Sequence, residues 1–243
     1  MQSLRDRWNR FANSWAGTPH YFTLTSGHLS LTRALLPFIE RHAAGRMLDA
    51  GAGYGAFRGV LHQRGQSYCG LDLHLGAGAV DVLADGREMP FAANTFDTVL
   101  CSQVIEHTPE PWRLLKYTCR VLRPGGVLIL SAPHLSYVHA IPNDFYRFTS
   151  FGLTFLLQQA GFKVETVVPA GGLLSLVGSL LPTLYLALLP PRPSRLARGI
   201  MFVNRAISHL IVKIDSWLDR SKLLALNFVA VARKPPETQT TSG

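Results

Sequence analysis

The chain has 243 residues, of which 47% are hydrophobic, and its 24 Lys and Arg against 15 Asp and Glu give a formal net charge of +9 at pH 7. This length and apolar content support one well-buried domain with additions, and they exclude disorder of the whole chain. The three cysteines, Cys69, Cys101 and Cys119, lack metal-ligand spacing. We therefore interpret them as core residues of a reducing compartment and predict neither disulfides nor a bound metal.

The positive charge is concentrated late in the chain. Residues 45–169 carry ten Lys or Arg and ten Asp or Glu, whereas residues 191–234 carry nine basic and two acidic side chains. We therefore expect any membrane or polyanion contact at the late segment. Residues 1–15 lack the apolar core of a secretory signal, so we expect a cytoplasmic location, extended to the inner face of the membrane if the late segment binds lipid.

Residues 1–45 are predicted to form an amino-terminal helical segment. Trp8, Phe11 and Trp15 are spaced to share one helix face, which indicates packing against the rest of the domain. A second helix is expected over residues 27–43, with Ser26 as its cap and with a kink or an early stop at Pro37.

From Arg46 onward, short apolar strands alternate with helical periods, which is typical of βαβ units. We predict an α/β fold with a doubly wound, Rossmann-like, seven-stranded and mostly parallel sheet, built from residues 46–172 and 221–234. A helical insert of residues 173–220 and a disordered tail of residues 235–243 complete the chain. The expected strands lie near 46–50, 67–72, 79–83, 96–102, 126–132, 162–168 and 224–232, and the expected helices near 56–64, 110–122 and 149–160.

A glycine-rich turn follows the first predicted strand. Gly51 and Gly53 permit positive φ and let a ligand lie against the backbone, with Tyr54 in the same turn. Asp49 stands at the carboxyl end of the strand, where α/β sheets bind their ligands. Asp72, about 20 residues after the glycines, suits the binding of ribose hydroxyls. The same spacing fits a dehydrogenase, so the turn by itself predicts a nucleotide-type ligand without choosing between cofactors.

Further sequence motifs after the glycine turn help to distinguish a dehydrogenase from other proteins that bind a nucleotide-type cofactor. Asp85 precedes Met89-Pro90-Phe91 and Asn94-Thr95-Phe96-Asp97, followed by residues 103–107 and by Arg123-Pro124-Gly125-Gly126. From about residue 46 to 168 the chain resembles the class I S-adenosylmethionine-dependent methyltransferases, of the methyltransferase type 11 kind. In similar enzymes an amino-terminal segment closes over the cofactor, and the aromatic residues of the first segment could serve that role here.

The resemblance implies S-adenosyl-L-methionine as the cofactor and assigns residues to its parts. Asp49, Gly51 and Gly53 would approach the methionine portion, and Asp72 would bind the ribose with Leu73 beside the adenine. Asp85 would reach the adenine amino group while Gly86 keeps the approach open. The loop that begins with Gln103 and Val104 would lie beside the sulfonium and the substrate.

The candidates for proton transfer are His107, His134, His139 and Tyr146. The last three lie in the loop after the fifth strand, which should form the substrate wall, and a neutral imidazole near pH 7 suits proton removal. In the same loop we predict a structural pair of Asp144 with Arg147.

The expected acceptor is a small or lipid-like molecule, methylated at oxygen or carbon. The chain lacks the Asn/Asp-Pro-Pro-Tyr tetrapeptide of base-modifying enzymes, so we expect no nucleic-acid partner. Two alternatives stay open: an NAD(P)-dependent Rossmann oxidoreductase, and a non-catalytic membrane-associated binding module with the same fold.

The predicted insert has an uncharged part and a basic part. Residues 173–190 carry no charge, and Pro182 is expected to divide them into halves too short to cross a bilayer. The pattern of residues 199–214 predicts an amphipathic helix, which follows a basic turn. We predict an insert that lies in one membrane leaflet as a peripheral contact. The alternative is a helical subdomain buried against the core or in a homodimer interface.

Overall fold

The computed structural model describes residues 3–75, 78–189, 195–219 and 223–236. Seven strands form one sheet. They are β1 (Arg46–Ala50), β2 (Ser67–Asp72), β3 (Val82–Leu83), β4 (Phe96–Ser102), β5 (Leu122–Pro133), β6 (Lys163–Ala170) and β7 (Asn227–Arg233). Their order is β3-β2-β1-β4-β5-β7-β6. β1 to β5 pair in parallel, and β7 runs antiparallel to both of its neighbours. The predicted fold class is therefore confirmed.

Seven helices accompany the strands within the described residues. They are α1 (Leu4–Asn13), α2 (Ser26–His42), α3 (Arg58–His62), α4 (Pro111–Val121), α5 (Ser150–Gln159), α6 (Leu173–Leu186) and α7 (Arg195–Leu218). None of the helices in the described ranges is long and apolar enough to cross a membrane.

Helices cover both faces of the sheet because successive strand residues point to opposite sides. Leu48 and Leu128 contact the layer that contains α4 and α5. Met47 and Ile129 contact the layer that contains α2 and α3. The three cysteines are free, and all of them pack in or against the first of these layers, as their interpretation as core residues requires.

Two local expectations for α2 are wrong. The cap is Thr25, whose hydroxyl accepts from the His28 N–H at 3.2 Å. Ser26 is instead buried and donates to the Ser175 carbonyl at 2.8 Å. The early stop at Pro37 is also wrong, because the helix continues to His42 and buries Leu35 and Ile39 on either side of the proline. A kink at Pro37 stays a prediction.

The strand and helix predictions differ elsewhere at their ends. β5 begins at Leu122 instead of residue 126, because Leu122 already pairs with Phe96 before an irregularity in the register. β3 is reduced to two residues. In the insert, Pro182 lies inside the continuous helix α6 and does not divide it. The predicted tail falls largely outside the described residues, which end at 236.

The amino-terminal segment and the insert pack against each other. Trp8, Phe11 and Trp15 form one apolar cluster with Leu186 of α6 and Met201 of α7. The predicted packing of the three aromatic residues is confirmed, although Trp15 lies just beyond the end of α1.

Candidate functional site

A cavity of about 440 Å³ opens at the carboxyl ends of the parallel strands. It lies where the strand order reverses between β1 and β4, the position at which open α/β sheets bind ligands. The cavity is lined by the glycine turn, the loops after β4 and β5, the amino-terminal segment with the start of α2, helix α6 and the start of β7. Its lining includes Asp49, Gly51, Gly53, Tyr54, Gln103, His107, His139, Trp8, His28, Ser179 and Thr183.

The glycine turn has the backbone that its sequence predicts. The φ angles of Gly51, Gly53 and Gly55 are +87°, +51° and +73°, a region that favours residues without a Cβ. A Cβ at Gly51 would overlap the Val104 side chain, whereas the space beside Gly53 is open. Gly53 is therefore the point where a ligand can reach the backbone, and Gly51 makes room for Val104.

Asp72 holds this turn from the end of β2. One of its carboxylate oxygens accepts from the Gly53 N–H at 2.9 Å, and the other accepts from the His74 N–H at 3.0 Å. Neither Asp72 nor Leu73 lines the cavity, and the Leu73 side chain is exposed. Asp72 thus holds Gly53 in the place where Gly53 lines the cavity. The contacts of Asp72 with the ribose and of Leu73 with the adenine stay predictions.

Asp49 is the buried acid of the cavity. Its side chain is 4% exposed and accepts a hydrogen bond from the Tyr68 hydroxyl at 3.2 Å. Burial raises the pKa of Asp49 to about 7, and the nearby negative charge of Asp72 adds to this effect. A positively charged ligand in the cavity would stabilise the ionised form.

Asp85 and Gly86 lie outside the cavity lining. The Asp85 carboxylate pairs with the Arg87 guanidinium at 2.7 Å, and its hydrogen bond with Arg87 lowers the pKa of Asp85. A Cβ at Gly86 would lie 2.7 Å from Cδ1 of Leu114. The glycine therefore makes room for the packing of Leu114 of α4, and the expectation that it keeps a ligand approach open stays a prediction. The contact of Asp85 with adenine stays a prediction.

The structure separates the four candidates for proton transfer. His107 and His139 line the cavity, whereas His134 and Tyr146 do not. The His134 ring packs on Phe228 with ring centroids 5.4 Å apart. The Tyr146 hydroxyl donates to the Pro109 carbonyl at 2.9 Å. The loop after β5 contributes to the cavity through His139 and its neighbours.

The predicted structural pair in this loop is confirmed. Asp144 and Arg147 form a bidentate pair, with oxygen–nitrogen distances of 2.7 and 2.8 Å. This pairing holds the pKa of Asp144 well below its usual range. Asp144 also accepts from the His139 N–H at 2.7 Å, so the pair stabilises the segment that brings His139 to the cavity.

Sequence reasoning missed the part of the cavity built by α2 and α6. His28 is enclosed by the edges of Trp8 and Tyr21, and burial lowers the pKa of His28 to about 4, so its ring is neutral at pH 7. Ser179 accepts from the Gly27 N–H at 2.8 Å, which attaches α6 to the start of α2. The aromatic run near the amino terminus was the available signal for this wall.

Comparisons with known proteins agree with this geometry. Residues 48–130 match the family model described as a methyltransferase domain. An uncharacterised methyltransferase of Mycobacterium sp. (strain JLS) is 42% identical over 94 residues, which cover 35% of this chain and 37% of that protein. The chain thus spans well under half of the length of this curated relative.

Solved structures share the fold at low identity. A Burkholderia thailandensis 1,6-didemethyltoxoflavin-N1-methyltransferase with bound S-adenosylhomocysteine has a TM-score of 0.53 and 18% identity, covering 86% of this chain and 78% of that one. The [4+2]-cyclase SpnF has a TM-score of 0.59 and 18% identity, and the match covers 86% of this chain and 81% of the cyclase.

The sheet and its order are those of a Rossmann-like fold, which this chain shares with solved class I methyltransferases. Within that fold, residues 48–130 are similar to the methyltransferase domain family.

Proposed function

We propose that this protein transfers a methyl group from S-adenosylmethionine to a small or lipid-like acceptor, at oxygen or carbon. The observation that carries the proposal is the cavity at the carboxyl ends of β1 and β4, where the open backbone at Gly53 lies beside the buried carboxylate of Asp49. A cofactor with a cationic methionine portion fits this pairing of bare backbone and acid.

The residues of this chain would bind the cofactor and the acceptor, align them, and exclude water from the cavity. S-adenosylmethionine supplies an activated methyl group, so the protein needs mainly to hold the acceptor in line with it. Asp49 would stabilise the positive charge of the methionine portion, and Asp72 would hold the turn and accept from the ribose. In such a transfer the sulfur–methyl bond would break as the acceptor–methyl bond forms, the acceptor would give its proton to a base or to solvent, and S-adenosylhomocysteine would leave as a neutral thioether.

A lipid-like acceptor is supported by the wall that α6 contributes. Leu176 of α6 and Leu226 line the cavity together with Thr183, so an apolar chain could lie along the insert. The exposed face of the insert is also apolar, and the late segment is strongly basic. We include in the proposal a peripheral contact of this insert with an anionic membrane surface.

The cofactor is tested by calorimetry. S-adenosylhomocysteine should bind with micromolar-range affinity, and NAD and NADP should not bind. Preference for a nicotinamide nucleotide would replace this proposal with the oxidoreductase alternative.

Transfer itself needs a separate measurement, because a cyclase shares this fold. Cell extract incubated with the protein and isotope-labelled S-adenosylmethionine should yield a labelled product by mass spectrometry. An Asp72→Ala variant serves as the control. Cofactor binding without any labelled product would favour the non-catalytic alternative.

A further inference from the structure

One carboxylate and two imidazole rings converge beside the cavity, and the steps proposed above do not use them. Glu106 Oε1 lies 3.7 Å from Nε2 of His107 and 4.0 Å from Nε2 of His139. One ligand atom from each of the three residues lies within 4.8 Å of the others. Glu106 and His107 follow β4 and His139 follows β5, so two adjacent parallel strands bring them to the same edge of the sheet.

Glu106 needs a partner that the described residues do not provide. Its side chain is fully buried, and neither carboxylate oxygen has a hydrogen-bond partner among the described residues. Burying an ionised carboxylate without a partner costs several kcal/mol, so it must either take up a proton or bind a cation. Burial correspondingly raises the pKa of Glu106 to about 8.

Both histidines are oriented to offer Nε2 as a ligand atom. Nδ1 of His107 lies 2.7 Å from the Asn143 carbonyl oxygen, and Nδ1 of His139 lies 3.1 Å from the Tyr137 carbonyl oxygen. A carbonyl oxygen only accepts, so each Nδ1 carries the hydrogen and each neutral ring keeps its lone pair on Nε2. Arg147 is farther from Nδ1 of His139, at 3.5 Å. Backbone carbonyls hold the rings of metal-binding histidines in this same way.

We propose that Glu106, His107 and His139 bind a divalent transition-metal ion, with a coordination position open to the cavity. Two imidazoles and one carboxylate are a ligand set that zinc and iron(II) accept. Metal–ligand bonds of about 2.0–2.2 Å place tetrahedral ligand atoms about 3.4 Å apart. From separations of 3.7 Å, 4.0 Å and at most 4.8 Å, the ligand atoms would therefore move together by about 0.3 to 1.4 Å. The ion would neutralise the buried carboxylate.

The site would define the acceptor class, and this extension rests on the proposed function. His107 and His139 line the cavity, so an acceptor hydroxyl could occupy the open position. The ion would stabilise the alkoxide and release the hydroxyl proton to solvent. The oxygen–methyl bond would then form as the sulfur–methyl bond breaks. Acceptors with a metal-binding hydroxyl would be preferred over carbon nucleophiles.

Metal binding is tested on the full chain without cofactor. Protein freed of metal with a chelator is titrated with Zn²⁺ by calorimetry and with Co²⁺ by visible absorption. We expect one ion per chain, and at least about tenfold weaker binding in Glu106→Gln and in His139→Asn, since each removes a direct ligand. The matched control is His209→Asn on α7, outside the cluster, which should bind as the unmodified chain does.

Circular dichroism and S-adenosylhomocysteine affinity, both measured without added metal, show whether each variant folds. These measurements also test the proposed function separately from the metal site. The inference is overturned if the unmodified chain binds neither ion at micromolar concentrations, or if Glu106→Gln and His209→Asn bind equally well. Should Glu106→Gln fail to fold, the comparison of His139→Asn with His209→Asn decides the matter.

Discussion

Among single residues, Asp72 connects the end of β2 to the glycine turn. Its carboxylate accepts from two backbone N–H groups and thereby holds the open side of Gly53 toward the cavity. Hydrogen bonds to a charged acceptor contribute about 1.5–3 kcal/mol each. We expect Asp72→Ala to weaken S-adenosylhomocysteine binding by about tenfold to about 150-fold, measured by calorimetry.

Glu165→Ala is the control for this change. Glu165 of β6 pairs with Arg233 at 2.7 Å, and Arg233 lies at the opposite end of β7 from Asn227, which lines the cavity. The variant therefore removes an ion pair away from the cavity. The cofactor affinity of this variant should stay near that of the unmodified chain. A folded Asp72→Ala variant with unchanged affinity would remove Asp72 from the site.

The raised pKa of Asp49 predicts how the stability of the folded chain depends on pH. Burial raises its pKa in the folded chain to about 7, from an ordinary value of 3.8. Between these values the folded state binds more protons than the unfolded state, so this residue lowers the free energy of unfolding as pH rises. The contribution is at most about 1.4 kcal/mol per pH unit.

Asp49→Asn should therefore flatten the decline of stability between about pH 4 and 7. Urea unfolding across this range measures the effect in the absence of cofactor. Glu40→Gln, which changes an exposed carboxylate on α2, should keep the slope of the unmodified chain. Equal slopes for Asp49→Asn and the unmodified chain would show that Asp49 stays ionised in the folded protein.

Among the elements, the insert helices reverse the usual placement of side chains. The buried face of α7 includes Asn204, Ser208 and Asp215, whereas Phe202 is 75% and Trp217 is 67% exposed. The buried polar groups bond across elements: the Asn204 amide donates to the Leu24 carbonyl at 2.8 Å, and the Ser175 hydroxyl donates to Asp215 at 2.7 Å. Large apolar residues of α7 such as Phe202 and Trp217 are thus left for another surface.

This exposed face predicts binding to anionic vesicles. The combined change Phe202→Ser and Trp217→Ser should reduce flotation with vesicles that contain anionic lipid, because less apolar area enters the headgroup region. Binding of the unmodified chain should fall in high salt, since nine basic and two acidic residues lie in the segment 191–234.

The matched control changes Phe151 and Phe155 to Ser on α5, where both side chains are also exposed. It should float as the unmodified chain does. Equal losses in both variants would contradict a specific membrane face. The homodimer interface would be supported instead if light scattering shows a dimer that dissociates in the α7 variant and not in the α5 control.

For the whole molecule, the cavity depends on docking between distant segments. Phe11, which is 1% exposed, packs with Leu186 and Met201, so α1 closes one side of the cavity only while α6 and α7 stay in place. Phe11→Ala should destabilise this contact by about 3–5 kcal/mol. We expect faster proteolysis within residues 4–16 and weaker cofactor binding, because the opened cavity admits water.

Leu4→Ala is the matched control, because Leu4 lies on the same helix with its side chain 43% exposed. It should change neither the proteolysis pattern nor the affinity. If Phe11→Ala leaves residues 4–16 protected, α1 is held by other contacts and does not act as a separate cover.

The sequence by itself determined the sheet and its glycine turn. Apolar strands alternating with helical periods specify βαβ units because both patterns are local properties of the chain. Positive φ at Gly51 and Gly53 follows in the same way, since residues with a Cβ rarely adopt it. The same local patterns place Asp49 and Asp72 at the carboxyl ends of two strands of one parallel sheet, beside the crevice where such sheets bind ligands.

The tertiary structure alone decided which residues share the cavity. His139 faces it while His134 does not, although both lie in one loop, because the pair of Asp144 with Arg147 shapes the segment between them. The meeting of Glu106 with His139 depends on β4 and β5 being neighbours. The burial of polar residues on α7 likewise depends on partners more than a hundred residues away, such as Leu24. Local periodicity carries no information on such contacts, since burial is set by what packs against a residue and not by its neighbours in sequence.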